Sequence, residues 1–234
     1  MFASRRIATS GSKFEDNYSL HYLDTSDRGE ISQTTFNVHN STYTFAFWIK
    51  RNAVDSYDAV IGNSAKTNRD FILFNDANTY LHLEGDTNGD SLVWANAMEV
   101  DRWYHYVITT DGSGSGACYR DGIALDFHAS SSYHTIGTAL IDIDRIGFPN
   151  PAVDGKLNDL AIYNAELTQA QAISLYNGRE PYNHKEGPMS KNLIHWWRFG
   201  DGTENGSGTT MYDMAGSLNA TLVNAPVYQG DVPW

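Results

Sequence analysis

The stretch that most narrows what this chain can fold into is residues 42–50, TYTFAFWIK. Side chains alternate across an extended strand, so Tyr43, Phe45, Phe47 and Ile49 share one side and Thr44, Ala46 and Trp48 the other. A sheet with one wet face needs apolar residues on one side only. Both sides here are largely apolar, which makes this a central strand with the core under one face and a loop or aromatic platform over the other.

A second constraint comes from residues 141–178, which read as strand, turn-rich loop, strand and short helix. In residues 156–163, KLNDLAIY, alternation puts Leu157, Asp159, Ala161 and Tyr163 on one face and Asn158, Leu160 and Ile162 on the other. Thr168 is a good N-cap, and Gln171 three residues later completes a capping box. Ala172, Ile173, Leu175 and Tyr176 then supply an apolar stripe, and Gly178 stands where a helix usually stops. The expected helix covers residues 167–177.

Short strand signals separated by Asn, Asp and Gly fill much of the remaining chain. Asp121-Gly122 is a tight hairpin turn, and residues 111–116, DGSGSG, form a longer hairpin loop. About twelve short strands with mostly hairpin connections point to an all-β jelly-roll sandwich of two antiparallel sheets. The alternation of strand and helix that builds a parallel sheet is missing. Residues 1–17 read as an N-terminal arm and residues 18–234 as a single sandwich. Within it, residues 192–234 are too few to bury a core of their own, so they add edge strands or form a C-terminal extension.

The formal charge of −12 argues against non-specific nucleic-acid binding, which needs a basic footprint, and leaves room for cations such as Ca²⁺. A lone cysteine, Cys118, makes no intrachain disulfide. No run approaches the roughly 20 apolar residues of a membrane span. The opening MFASRRIATSGSKF has two arginines but no apolar run behind them, so it does not read as a signal peptide.

Residues 19–31, 43–50, 102–122, 142–147 and 154–178 together resemble a laminin-G-like or concanavalin-A-like jelly-roll lectin domain. The resemblance rests on a tryptophan strand, a tyrosine strand ending in an Asp-Gly turn, and a strand of the Gly-x-hydrophobic-Asp type followed by a short helix. Residues 193–224 resemble the segment that normally opens such a domain, here placed at the other end of the chain. The resemblance implies that Asp159 ligates a structural Ca²⁺ together with backbone carbonyls. It also implies a likeness to phage virion proteins, and with it a place on a virion or other extracellular particle surface.

Read from the residues, an acidic group on a buried strand must be paired, hydrogen-bonded or metal-bound, so Asp159 either binds a cation or accepts backbone N–H groups. Residues 86–90, DTNGD, have the look of a Ca²⁺ loop through Asp86, Asn88 and Asp90, although turn chemistry explains the same residues. Glu84-Gly85-Asp86 invites comparison with paired catalytic carboxylates, but the third acidic position is out of register, and no enzyme is expected. Trp94, Trp196 and Trp197 are candidates to stack on sugar rings, with Asp86 and Asn88 as polar partners. Trp196 and Trp197 are strand neighbours, so one must face away from the core, against glycan, a loop or a partner subunit.

The expected function is a non-catalytic, lectin-like, glycan-binding module stabilised by Ca²⁺. The alternatives are a virion scaffold that packs against other virion proteins, and a polysaccharide hydrolase. Self-association is an open possibility; membrane insertion and nucleic-acid binding are not expected.

Overall fold

Residues 42–50 lie at the centre of a sheet, as their two apolar faces require. The computed structural model describes residues 14–23, 26–53, 58–65, 70–74, 80–87, 90–129, 134–137, 140–147 and 155–234. Most of the arm expected over residues 1–17, and Asn88, lie outside the described residues.

In chain order the strands are β1 (Ser19–Tyr22), β2 (Arg28–Phe36), β3 (Thr42–Arg51), β4 (Asp58–Gly62), β5 (Phe71–Phe74) and β6 (Tyr80–Glu84). Then come β7 (Ser91–Ala95), β8 (Trp103–Asp111), β9 (Gly116–Arg120), β10 (Ile123–Ala124), β11 (His134–Thr135), β12 (Ile141–Ile146) and β13 (Gly155–Tyr163). The helix α1 (Gln169–Tyr176) follows, and β14 (Leu193–Trp197), β15 (Thr210–Met211), β16 (Ala220–Val223) and β17 (Val227–Gln229) complete the order. Two antiparallel sheets result. The first runs β10-β9-β8-β3-β13-β1-β17, with β14 also paired to β13, and the second runs β11-β7-β6-β5-β4-β12-β2-β16-β15. This is a jelly-roll-like all-β sandwich with one short helix.

β13 pairs with β3 along its length, while its other edge is shared, Leu157 opposite Leu20 of β1 and Leu160 opposite Trp197 of β14. The strands after residue 192 thus enter both sheets: β14 and β17 the first, β15 and β16 the second.

The core fills the space between the sheets with Phe45, Phe47, Ile49, Tyr106, Leu160 and Ile162 from one side and Ile72, Phe74, Leu83, Ile141 and Ile143 from the other. Each such side chain, removed from water, contributes roughly 1.5–3 kcal/mol. The opposite face of the first sheet carries a separate apolar layer in which Ala46, Ala161, Tyr163 and Trp196 meet Leu167, Ala172 and Leu175 of the helix region. That layer is the cover that the second apolar face of β3 demands.

Simple alternation along β13 is corrected by a bulge. The pairing with β3 shifts register between Asn158 and Ala161, and Asp159 has φ 54°, in the left-handed region. An inserted residue changes which face the following side chains occupy. Leu157 therefore joins Leu160 and Ile162 in the core instead of sharing a face with Ala161 and Tyr163.

Candidate functional site

The outer face of the first sheet holds a polar network within its apolar layer. Asp159 is 3% exposed, and the bulge sets its carboxylate among donors that arrive from outside the sheet. Trp196 Nε1 donates to Asp159 Oδ1 at 2.5 Å, and His184 Nε2 lies 2.9 Å from Oδ2. With Nε2–H given to the carboxylate, His184 Nδ1 is left to accept the Tyr163 hydroxyl. Burial pushes the Asp159 pKa up, but His184 and the Trp196 N–H outweigh it and hold the carboxyl below its usual range.

Over this layer runs the segment of residues 14–18. The Phe14 ring lies 6.0 Å from that of Trp196, with the Arg198 guanidinium 4.6 Å from the Phe14 centroid. Between residues 14–17, 178–181 and 233–234 opens a groove of about 580 Å³. Its walls hold Phe14 and Trp234 for apolar contact, and Glu15 and Glu180 as acceptors. Trp234 is half-buried; its Nε1 donates to the Asp16 carbonyl at 2.6 Å, and its ring meets Trp48 edge-on at 6.1 Å. Arg179 fixes that wall by donating to the Pro233 carbonyl at 2.8 Å through Nη2 while stacking over Trp48 at 5.8 Å.

Two other grooves are less suited to a flat ligand. One, about 390 Å³, contains Tyr104, but the Arg102 and Arg120 guanidinium groups sit 4.9 and 5.1 Å from its ring centroid and engage its π-face. The other, about 500 Å³, is formed from loop residues around Ser41, Asp111 and Asn164.

The indoles expected to stack on sugar are all buried, and that expectation is corrected. Trp94, 1% exposed, stacks on Phe127 inside the sandwich at 5.8 Å, and Trp197 is fully buried with Nε1 bonded to the Leu218 carbonyl. Trp196 does face away from the core, as strand geometry requires, but it is 2% exposed under Phe14 and His184. Asp86 and Asp90 belong to the turn joining β6 and β7 in the second sheet. Asp86 Oδ1 accepts the Leu140 N–H at 3.0 Å, and the Asp90 N–H donates to the Thr87 carbonyl. The predicted sugar-binding residues are therefore not brought together.

Calcium seeks six to eight oxygen ligands. Both Asp159 oxygens instead face nitrogen donors, so the surroundings of this side chain do not fit Ca²⁺. Among the described residues, no three His, Cys, Asp or Glu side chains form a metal-ligating group. The residues that build the groove escaped sequence reasoning because residues 14–17, 178–181 and 233–234 carry neither strand nor helix periodicity.

Comparison with curated proteins gives no match. Among solved structures the chain is similar to a Bacteroides ovatus protein described as a candidate carbohydrate binder. It is 16% identical with a TM-score of 0.59, over 88% of this chain and 60% of that one. It is also similar to a native heptameric SAP-like pentraxin from Limulus polyphemus, 16% identical with a TM-score of 0.52, over 88% of this chain and 95% of that one. This chain thus spans 60% of the length of the Bacteroides protein. Residues 23–172 match the model of the Concanavalin A-like lectin/glucanases superfamily, from just after β1 to the middle of the capped helix that lies over the first sheet. A match over more than half of the chain, on a sandwich with this strand order, places the protein in the concanavalin A-like lectin/glucanase superfamily.

Proposed function

We propose that the protein is a non-catalytic glycan-binding module whose site is the groove between residues 14–17, 178–181 and 233–234. The observation that carries this reading is the pairing of a half-buried Trp234 with carboxylate acceptors in one groove of about 580 Å³. Sugars present an apolar ring face to aromatics and a fringe of hydroxyl donors to carboxylates, and this wall offers both partners. The carbohydrate-binding description of the Bacteroides ovatus protein is consistent with the reading. A non-catalytic role is favoured because Asp86, from the one carboxylate motif that suggested hydrolysis, is engaged with the Leu140 backbone in a turn of the other sheet.

Carriage on a virion or other particle surface is part of the same proposal and rests on the sequence resemblance. Self-association is supported by the heptameric assembly of the Limulus pentraxin. A Ca²⁺ contribution at Asp86 and Asp90 is retained as an arm of the test.

The test is a glycan array followed by calorimetry on the hits, with and without EGTA. The expected result is binding to at least one glycan class, weakened at least roughly tenfold, about 1.4 kcal/mol, by Trp234→Ala or Glu180→Gln. Loss confined to Asp86→Ala under EGTA-sensitive conditions would move the site to the β6–β7 turn. Absence of any glycan binding from a stable oligomer would replace this reading with that of a protein-binding scaffold.

A further inference from the structure

The segment of residues 14–18 straps the outer face of the first sheet, and one carboxyl within it has no ordinary partner. Arg198 donates to the Glu15 carbonyl, Trp234 to the Asp16 carbonyl, and the backbone N–H groups of Asn17 and Tyr18 to Asp201 Oδ2. Asn17 Nδ2 adds a bond to Asp201 Oδ1 at 3.3 Å. The side chain of Asp16 is held differently. It is 2% exposed, and no N–H or hydroxyl of the described residues donates to either of its carboxyl oxygens.

An ionised carboxylate stripped of water and given no donor is among the most costly groups to bury, and a proton relieves that cost. The charged groups that bear on Asp16 are Asp159 of β13 and Arg198 and Asp201 after β14. Glu15 on the strap and Arg179 and Glu180 opposite line the same groove. Asp159 is already matched to Trp196 and His184, while Arg198 and Arg179 are turned to the Glu15 and Pro233 carbonyls. The carboxyl that does bond to Asp16 is Asp201. Asp201 accepts three N–H groups from the strap, so in a bond between the two carboxyls it is the acceptor and Asp16 carries the proton. Burial first, then the charge of Asp159 and the bond to Asp201, hold the Asp16 carboxyl well above the usual carboxylate range.

We propose that Asp16 and Asp201 share one proton, and that this proton latches residues 14–18 onto the sandwich, so that the strap is closed in acid and opens as the pH rises. An open strap returns Asp16 to water, where a carboxyl ionises near about pH 3.9. Between that value and the titration of the closed state, the closed form holds one proton more than the open form. Its closing constant therefore falls by up to about tenfold for each pH unit gained. Because residues 14–17 form one wall of the groove, the same proton decides whether the groove is complete. Where the glycan reading of that groove applies, affinity is highest in acid and falls as the strap opens. The latch itself does not depend on that reading.

The test reads the strap with no ligand present. Hydrogen exchange of the Asn17 and Tyr18 amides, the two backbone donors to Asp201, is followed as protection relative to the intrinsic rate at each pH. Wild-type protection should fall about tenfold per pH unit from about pH 5 upward until Asp16 ionises in the closed state. Asp16→Asn, whose amide donates to Asp201 as the protonated acid does, should hold its protection constant within about twofold over the same range. At about pH 5 the Asp16 Cγ resonance of the wild type, assigned through its own bonds, should be that of a protonated carboxyl. Protection that is flat or rises with pH in the wild type, a decline that persists in Asp16→Asn, or an ionised Asp16 carboxyl in the closed strap would each overturn the proposal. Should Asp16→Asn fail to fold, the wild-type slope and the Cγ resonance still decide. A strap that passes on a protein without glycan binding upholds the latch and removes only the glycan reading.

Discussion

His105 sits 4.9 Å from the Trp48 ring and 6.3 Å from that of Tyr176, beneath the helix and 1% exposed. Burial holds its pKa down at about 3, with Asp159 opposing the shift and His184 adding to it. His82, on the second sheet, is lowered to about 4, again by burial first. An unfolded chain takes up a proton at each site below about pH 6.5, while the folded chain does not until the lower value is reached. Stability is therefore full above pH 6.5 and is lost as the pH falls toward these folded values, by up to about 1.4 kcal/mol per pH unit for each histidine. Urea midpoints at pH 7, 6 and 5 should decline along that slope, and His105→Phe should flatten it. An unchanged slope in the variant would show that His105 is protonated in the folded state. At this scale the sequence flags that a buried Asp159 needs a partner. It does not reveal that the partners are His184 and Trp196, 25 and 37 residues further along.

The helix is the element most completely written into local sequence. Thr168 accepts from the Gln171 N–H at 3.4 Å, and the Gln171 side chain returns the bond to the Thr168 N–H at 2.8 Å. Asn177, with φ 50°, takes the left-handed cap position one residue before Gly178, which is also left-handed at φ 63°. Ala172 and Leu175 then face the sheet, fully or almost fully buried. Thr168→Ala should cost about 1 kcal/mol, read as a small fall in melting temperature with no change in overall secondary structure. A loss several times larger would mean that the cap also positions Leu167, whose N–H donates to Thr109 Oγ1 at 3.0 Å. The Asp121-Gly122 hairpin is equally local, since φ values of 52° and 80° at its two central residues are what such a turn requires. The bulge in β13 is not local, because the residue that enters the left-handed region is an aspartate whose donors lie elsewhere in the chain.

For the whole molecule, the superfamily match ends at residue 172, but the sandwich does not. Trp197, Phe199, Met211, Ala220 and Leu222 all contribute to the core between the sheets. Burial of the larger of these is worth roughly 1.5–3 kcal/mol apiece, against a typical total stability of about 5–15 kcal/mol. Truncation after residue 191 should therefore abolish cooperative unfolding, seen as loss of near-ultraviolet circular dichroism and aggregation at the exposed edges of β13, β1 and β2. A soluble, cooperatively folding truncation would show that the later strands merely decorate a complete sandwich. No helix among the described residues is long and apolar enough to cross a membrane.

The sequence by itself determined the all-β class, the central place of residues 42–50, the capped helix and the Asp-Gly hairpin, because each rests on periodicity or on contacts within a few residues. The tertiary structure decided which face each side chain of β13 takes, since one inserted residue reverses the alternation. It decided that Trp94, Trp196 and Trp197 are all enclosed, because what covers a strand face is contributed by distant chain. It also assembled the groove and the buried Asp16. That assembly joins Tyr18 to Asp201 across 183 residues and Asp16 to Trp234 across 218, separations over which no local pattern carries information.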